Sequence, residues 1–257
     1  MKIALCQFNM AWEDKEANKN KISEMMEKCS RTDIDWIIFP EMTLSGFTMN
    51  TKVSELSDAD VEFFRKFAAK HNTWVSFGGV RKNRNKLITL NRKGETANEY
   101  SKIHLYKFGG ENGYYTAGDQ VTSFDLEGIT VCPTICFDLR FPYLFWEAAP
   151  KVDVFVNIAV WPARRAENYT TLVRARAIEN QCYCIGVDRT GTEPFNGKNL
   201  EFSGNSSVVD PLGKILLDCG TADGIFVCEA DVNKEQVISS RQRFPFYNEK
   251  RSDYKRL

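Results

Sequence analysis

The sequence predicts an α/β fold in a single domain spanning residues 1–257. Three features carry that prediction. Strand patterns and helix patterns alternate along nearly the whole chain, as they do where strands are linked by packed helices. Several strands are runs of Val, Ile and Phe, the composition expected where both faces of a sheet are covered. No low-complexity stretch or Pro/Gly-rich linker divides the chain.

The elements follow in order. Residues 3–8 form a β-rich opening segment. Residues 14–29 read as a helix, with Ile22, Met25, Met26 and Cys29 at i, i+3, i+4 and i+7 on one face. Residues 35–39 are a short apolar strand stopped by Pro40. Ser57, with Asp60 three positions on, resembles a capping box with Asp in place of Glu. It opens a helix bearing Val61, Phe64, Phe67 and Ala68. Residues 73–80 are a third strand, 81–85 a polar turn, and 86–100 a hairpin around Arg92-Lys93-Gly94. The second half repeats the plan. A strand at 129–136 leads to a helix at 141–149, with Pro142 suited to its first turn. A strand at 152–160 ends at Pro162, and a helix at 167–181 puts Tyr169, Leu172, Val173 and Ala177 on one face. Residues 182–187 are a strand. Asp210-Pro211-Leu212-Gly213 is a type I turn signature between strands at 206–209 and 214–219. A strand at 225–230 and a helix at 233–243 complete the pattern. Each half is therefore β-α-β-α-β plus a hairpin, matched in topology rather than in sequence.

Composition removes several function classes. Lys plus Arg total 34 and Asp plus Glu total 34, so the net charge is zero, which argues against a nucleic-acid partner. The longest apolar stretches, such as 152–161, are too short and too interrupted to span a bilayer. The N-terminal run 1–6 is too short for a signal-peptide core. A cytoplasmic protein is expected, and its eight Cys read as reduced thiols. With only two His, neither a His-based triad nor a His-rich zinc site is favoured. In an enzyme of this composition a carboxylate or a Lys moves the protons.

Sites in open α/β folds lie beyond the carboxyl ends of strands, and three reactive residues stand near such ends. Glu41 follows 35–39 and Pro40. Lys102 follows the strand ending at Tyr100. Cys136 stands where a strand passes into a helix, a turn that can present a nucleophile to backbone N–H groups. Singly, each has a plain structural reading: a solvated Glu, a surface Lys, a buried Cys. Together they suffice for acyl transfer. The thiol attacks, the carboxylate takes its proton, and the ammonium faces the oxyanion and lowers the thiol pKa.

Phe39-Pro40-Glu41-Met42, Tyr100-Ser101-Lys102-Ile103-His104-Leu105 and Ile135-Cys136-Phe137-Asp138-Leu139-Arg140-Phe141-Pro142 resemble, in that order, the nitrilase superfamily of carbon–nitrogen hydrolases. Residues 157–162 and 174–181 resemble its next strand and helix. The chain is most similar to the omega-amidase branch, through 136–142, Trp161-Pro162 and Ala177-Ile178-Glu179-Asn180-Gln181. The resemblance implies a four-layer α-β-β-α sandwich, a homodimer that pairs helix faces, and no cofactor or metal. It implies that Glu41 is general base and then general acid to the departing ammonia. Lys102 would stabilise the oxyanion with the backbone N–H of Phe137, and Cys136 would form a thioester. The second Glu that family members often carry matches Glu111, in Gly109-Gly110-Glu111-Asn112-Gly113, which would position the Lys or the substrate.

Phe47 and Trp161 are candidates to close over a small substrate, with core packing as the alternative. The substrate expected is a small ω-amide of a dicarboxylic acid, such as α-ketoglutaramate. Its carboxylate needs a cation, and Arg140, Arg164 and Arg165 are candidates, although Arg140 lies so near Asp138 that an ion pair between them is the better expectation. Rival readings keep the chemistry but change the substrate (deaminated glutathione, an N-carbamoyl compound or a nitrile), or make the chain a catalytically silent binding protein. Cys182-Tyr183-Cys184 lacks the further ligands of a metal site and reads as core, and His104 as a hydrogen-bonded structural residue.

Overall fold

The computed structural model describes residues 1–29, 31, 33–195, 197–251 and 253. In the first half, β1 (Ile3–Gln7), α1 (Lys15–Lys28), β2 (Trp36–Ile38), the short α2 (Thr51–Ser54), α3 (Asp58–His71) and β3 (Trp74–Arg81) are followed by β4 (Arg84–Leu90) and β5 (Thr96–Ser101). In the second, β6 (Phe124–Leu126), β7 (Ile129–Ile135), α4 (Pro142–Ala148), β8 (Val154–Ile158), α5 (Ala166–Asn180) and β9 (Tyr183–Val187) lead to β10 (Thr190–Phe195), β11 (Lys198–Ser203), β12 (Ser207–Val209) and β13 (Ile215–Asp218). β14 (Gly224–Val227) and α6 (Lys234–Arg243) follow.

Two six-stranded sheets result, ordered β14-β1-β2-β3-β4-β5 and β13-β12-β9-β8-β7-β6. β1, β2 and β3 are parallel, as are β7, β8 and β9, and the outer strands are antiparallel. Parallel neighbours need a crossover helix, whereas antiparallel ones need only a turn. That is why the helices fall between the central strands and the hairpins at the edges. The two halves have matching sheets, except that β14 comes from the end of the chain to complete the first one.

Alternation along the strands sets the layers. Ile3, Leu5, Trp36 and Ile38 face one core, shared with Val131, Ile135 and Val156 of the second sheet. Ala4, Cys6, Ile37 and Phe39 point the other way, onto Ile22 of α1 and Val61, Phe64 and Phe67 of α3. Phe145 of α4 meets Phe155 of β8 on the far side, ring centroids 5.0 Å apart. The order is helices, sheet, sheet, helices. The Ser57–Asp60 capping box is formed in both directions.

Three features depart from the sequence expectation. The 81–85 segment is not a polar turn. Only Lys82 and Asn83 turn, both at positive φ, as in the two-residue hairpins whose twist suits paired strands. Asn85 is therefore a strand residue, paired with Val80. The β10–β11 hairpin and the short β6 were not anticipated, because β10 and β11 carry mostly polar residues and β6 has only three.

Candidate active site

The chain places Glu41 with a tight turn after β2. Phe39 N donates to Ser76 O at 2.8 Å, Thr43 N to Gly78 O at 3.0 Å, and Gly78 N to Thr43 Oγ1 at 3.1 Å. The turn runs so close to β3 that a Cβ on Gly78 would lie 2.5 Å from Met42 N and 2.6 Å from Glu41 Cα. Only glycine leaves that space.

Glu41 is fully buried, as are Lys102 just past β5, Glu111 in the 3₁₀ turn Glu111–Gly113, and Asn85 on β4. Lys102 Nζ lies 2.9 Å from Glu41 Oε1 and 2.9 Å from Glu111 Oε2. Asn85 Nδ2 donates to both carboxylates, at 2.7 Å to Glu41 Oε1 and 2.9 Å to Glu111 Oε1. Glu111 Oε2 also accepts from Tyr106 N at 2.6 Å. Burial pushes Glu41 above the usual carboxylate range; Lys102 opposes this and Glu111 adds to it. Burial also works against the Lys102 charge, but Glu111 and Glu41 outweigh it and hold the ammonium well above its ordinary range.

Cys136 enters from the other sheet, at the end of β7. Its φ is +45°, a left-handed conformation that costs a non-glycine residue roughly 1–2 kcal/mol. Asp138 fixes this elbow. It accepts from Ile135 N at 3.1 Å, from Tyr100 OH at 2.7 Å and from His104 N at 2.8 Å, which ties the Cys136 turn to the strand that delivers Lys102. His104 Nδ1 lies 2.7 Å from the same carboxylate and its ring stacks on Phe141 at 3.7 Å. His104 is thus committed to the scaffold.

Val160 joins the two sides. Its N–H donates to Glu41 Oε2 at 2.9 Å, and its carbonyl accepts from Cys136 Sγ at 3.8 Å. Burial, then the Glu41 charge, push the Cys136 thiol well up, against the pull of Lys102 and the Val160 contact. The thiol is thus held toward its neutral form beside the Glu41 carboxyl.

Phe47, Phe137 and Trp161 line the cavity over Cys136. Phe47 carries Lys102 Nζ 5.4 Å from its ring centroid. Arg140, Arg164 and Arg165 line the same cavity, and among the described residues no carboxylate pairs with any of them. The expected Arg140–Asp138 ion pair is therefore corrected. Asp138 is taken by Tyr100, His104 and Ile135, and Arg140 lies over the Trp161 ring at 4.8 Å. Burial, then the neighbouring Arg165 charge, lower the Arg140 pKa, as expected where like charges crowd with no counter-ion. Sequence reading missed Asn85. Asn inside a strand is disfavoured by propensity, and that was the only signal for Asn85.

The family profile described as carbon-nitrogen hydrolase matches residues 2–242. The 2-oxoglutaramate amidase of Bacillus subtilis is 31% identical over 98% of both chains. The omega-amidase YafV of Yersinia enterocolitica is 31% identical over 97% of this chain and 96% of its own. A Xanthomonas campestris CN-hydrolase superfamily protein, solved with an arsenic adduct in its active site, superposes with a TM-score of 0.89 at 28% identity, covering 98% of this chain and 97% of its own. With family profile, relatives and fold in agreement over nearly the whole chain, the chain belongs to the carbon-nitrogen hydrolase family.

Proposed function

We propose that this chain is an omega-amidase that hydrolyses a small ω-amide of a dicarboxylic acid, with 2-oxoglutaramate (α-ketoglutaramate) as the type, to the acid and ammonia. Glu41 Oε2 takes the Cys136 proton as Sγ bonds to the amide carbon. The oxyanion forms between Lys102 Nζ and the Phe137 N–H, which stabilise charge that the ground state lacks. As the C–N bond breaks, Glu41 returns the proton to nitrogen and ammonia leaves a thioester. Glu41 then takes a proton from water, whose oxygen attacks the thioester carbon. The C–S bond breaks and the proton returns to sulfur. Glu111 and Asn85 hold Lys102 and Glu41 in register throughout.

The observation that carries this reading is the buried Glu41–Lys102–Glu111 cluster facing Cys136 across Val160. The three uncompensated guanidiniums in the cavity suit a substrate carboxylate, and the relatives named omega-amidase and 2-oxoglutaramate amidase agree with it. Phe47, Phe137 and Trp161 supply the apolar walls. We read the chain as one catalytic domain over residues 1–257, working as a homodimer in the cytoplasm without a cofactor. Eight free thiols suit a reducing compartment,.

Ammonia release from a panel of ω-amides, N-carbamoyl compounds and nitriles tests the proposal. The ω-amides are expected to lead, and Cys136→Ala to abolish release with an unchanged circular dichroism spectrum. Turnover that survives Cys136→Ala removes the nucleophile assignment.

A further inference from the structure

The β10–β11 hairpin pairs with neither six-stranded sheet and walls the cavity with Glu193, Phe195, Leu200 and Phe202. An inward position there suits an apolar side chain, as Phe202 shows. Glu193 breaks that pattern. Its neighbours Thr192 and Pro194 are exposed, yet Glu193 is 1% exposed. A buried carboxyl is costly unless both oxygens are partnered, and only one is. Oε2 accepts from Arg189 Nη1 at 2.5 Å and from Phe47 N at 3.4 Å. Arg189 is itself locked by Thr190 O, Thr192 O and Met10 O, so the carboxyl is held in place. Oε1 has no partner among the described residues. Glu193 lines the cavity that holds Cys136, and a buried carboxyl oxygen without a partner beside that cavity is a bond that a ligand can complete.

We propose that Glu193 is a specificity-determining residue whose neutral carboxyl donates a hydrogen bond from Oε1 to the 2-oxo oxygen of the bound ω-amide. This deepens the omega-amidase reading and rests on it. The guanidiniums in the cavity hold the substrate carboxylate, and the oxo group sits on the adjacent carbon. A ketone oxygen only accepts, so its partner must donate. Oε2 goes on accepting from Arg189.

The charged groups around Glu193 are Arg189 just before β10, Glu41 after β2, and Arg140, Arg164 and Arg165 in the same cavity. Lys198 and Glu201 of β11 are exposed. Burial raises Glu193 to about 7, Arg189 pulls against it, and Glu41 adds to the rise. The neutral acid is therefore populated near neutral pH, and an arriving carboxylate favours it further.

Kinetics with 2-oxoglutaramate and glutaramate, which differ only in the oxo oxygen, test the assignment. Wild type is expected to favour the oxo amide by about tenfold or more in kcat/KM, with the preference falling as pH rises above 7. Glu193→Gln can keep the Arg189 contact through its carbonyl and present an N–H to the cavity. It is expected to retain the preference without the pH dependence. Glu193→Leu is expected to bring the two amides within about twofold. No preference in wild type, or a preference kept in the Leu variant, overturns the contact. Loss in the Gln variant overturns the donor role. Where the Leu variant fails to fold, a preference in the Gln variant that still falls above pH 7 overturns the proposal. A wild-type enzyme that hydrolyses neither amide instead overturns the omega-amidase reading, and this proposal with it.

Discussion

Glu41, Lys102 and Glu111, when all are charged, leave one net negative charge in a buried site. Asn85 answers part of that excess with a single amide that donates to both carboxylates. Asn85→Leu removes both bonds and leaves two buried oxygens short of a donor. Each oxygen keeps Lys102 Nζ, but a hydrogen bond to a charged group is worth about 1.5–3 kcal/mol, enough for a ten- to hundredfold loss in kcat/KM. The bond from Asn85 also helps to lower the Glu41 pKa. Its loss raises that pKa, so the acid limb of the pH profile of kcat/KM is expected to move to higher pH. A limb that stays in place while activity falls reduces Asn85 to a structural role. Glu41, Lys102 and Cys136 were legible in the sequence because each stands in a contiguous motif at a strand end. Asn85 was not, because it meets Glu41 across 44 positions through the register of β3 and β4, which no local pattern encodes. Glu193 was hidden in the same way, on a hairpin whose polar composition masks its strands.

Elements deliver these groups through close packing, and two of the contacts make direct predictions. In Gly78→Ala the new methyl would meet backbone atoms of residues 40–42 at 2.5–2.7 Å, and backbone cannot swing aside as a side chain can. The turn bearing Glu41 must shift, so activity is expected to fall by at least roughly tenfold. The melting temperature is expected to fall less than for a comparably buried core truncation. A wild-type rate in Gly78→Ala would contradict the close approach. The second contact ties α1 to α3. Asp60 caps α3 and takes Lys15 at 2.8 Å and Lys19 at 2.7 Å. Burial works to raise its pKa, but the hydrogen bonds from Lys15 and Lys19 outweigh it and hold the carboxyl well below its ordinary value. A depressed folded pKa stabilises above the unfolded value near 3.8, and that stability is lost as pH falls toward the folded value. Asp60→Asn is therefore expected to lower stability at pH 7 and to flatten its dependence on pH below about 4, as read by urea titration. The capping box was visible as Ser57 and Asp60, since a cap is local. Its link to α1 was not, because that depends on how two helices dock.

At the scale of the whole molecule, the proposed catalytic cluster belongs to neither half alone. The first sheet brings Glu41, Asn85 and Lys102, the second brings Cys136, and Val160 bonds across. The matched β-α-β-α-β halves were readable from periodicity, but their face-to-face packing depends on which strand faces share a core. The helix layer behind the second sheet bears on the site as well. Arg176 of α5 donates to Leu139 O at 3.1 and 2.7 Å and so props the 136–140 turn that carries Cys136. This layer also leaves large apolar side chains in solvent: Tyr143 at 56%, Ile178 at 46% and Leu212 at 65% exposure. Ile178 lies against Gly213 of the Leu212 turn, so helix and turn form one patch. A self-complementary patch is what a two-fold dimer requires. Light scattering is expected to give twice the chain mass, and Ile178→Lys with Leu212→Lys to give the chain mass. Because α5 both carries the patch and braces the Cys136 turn, the monomeric variant is also expected to lose turnover several-fold. Dilution of the wild type below its dimerisation constant should reproduce that loss. A monomeric wild type, or a double variant that stays dimeric, would exclude this face as the interface.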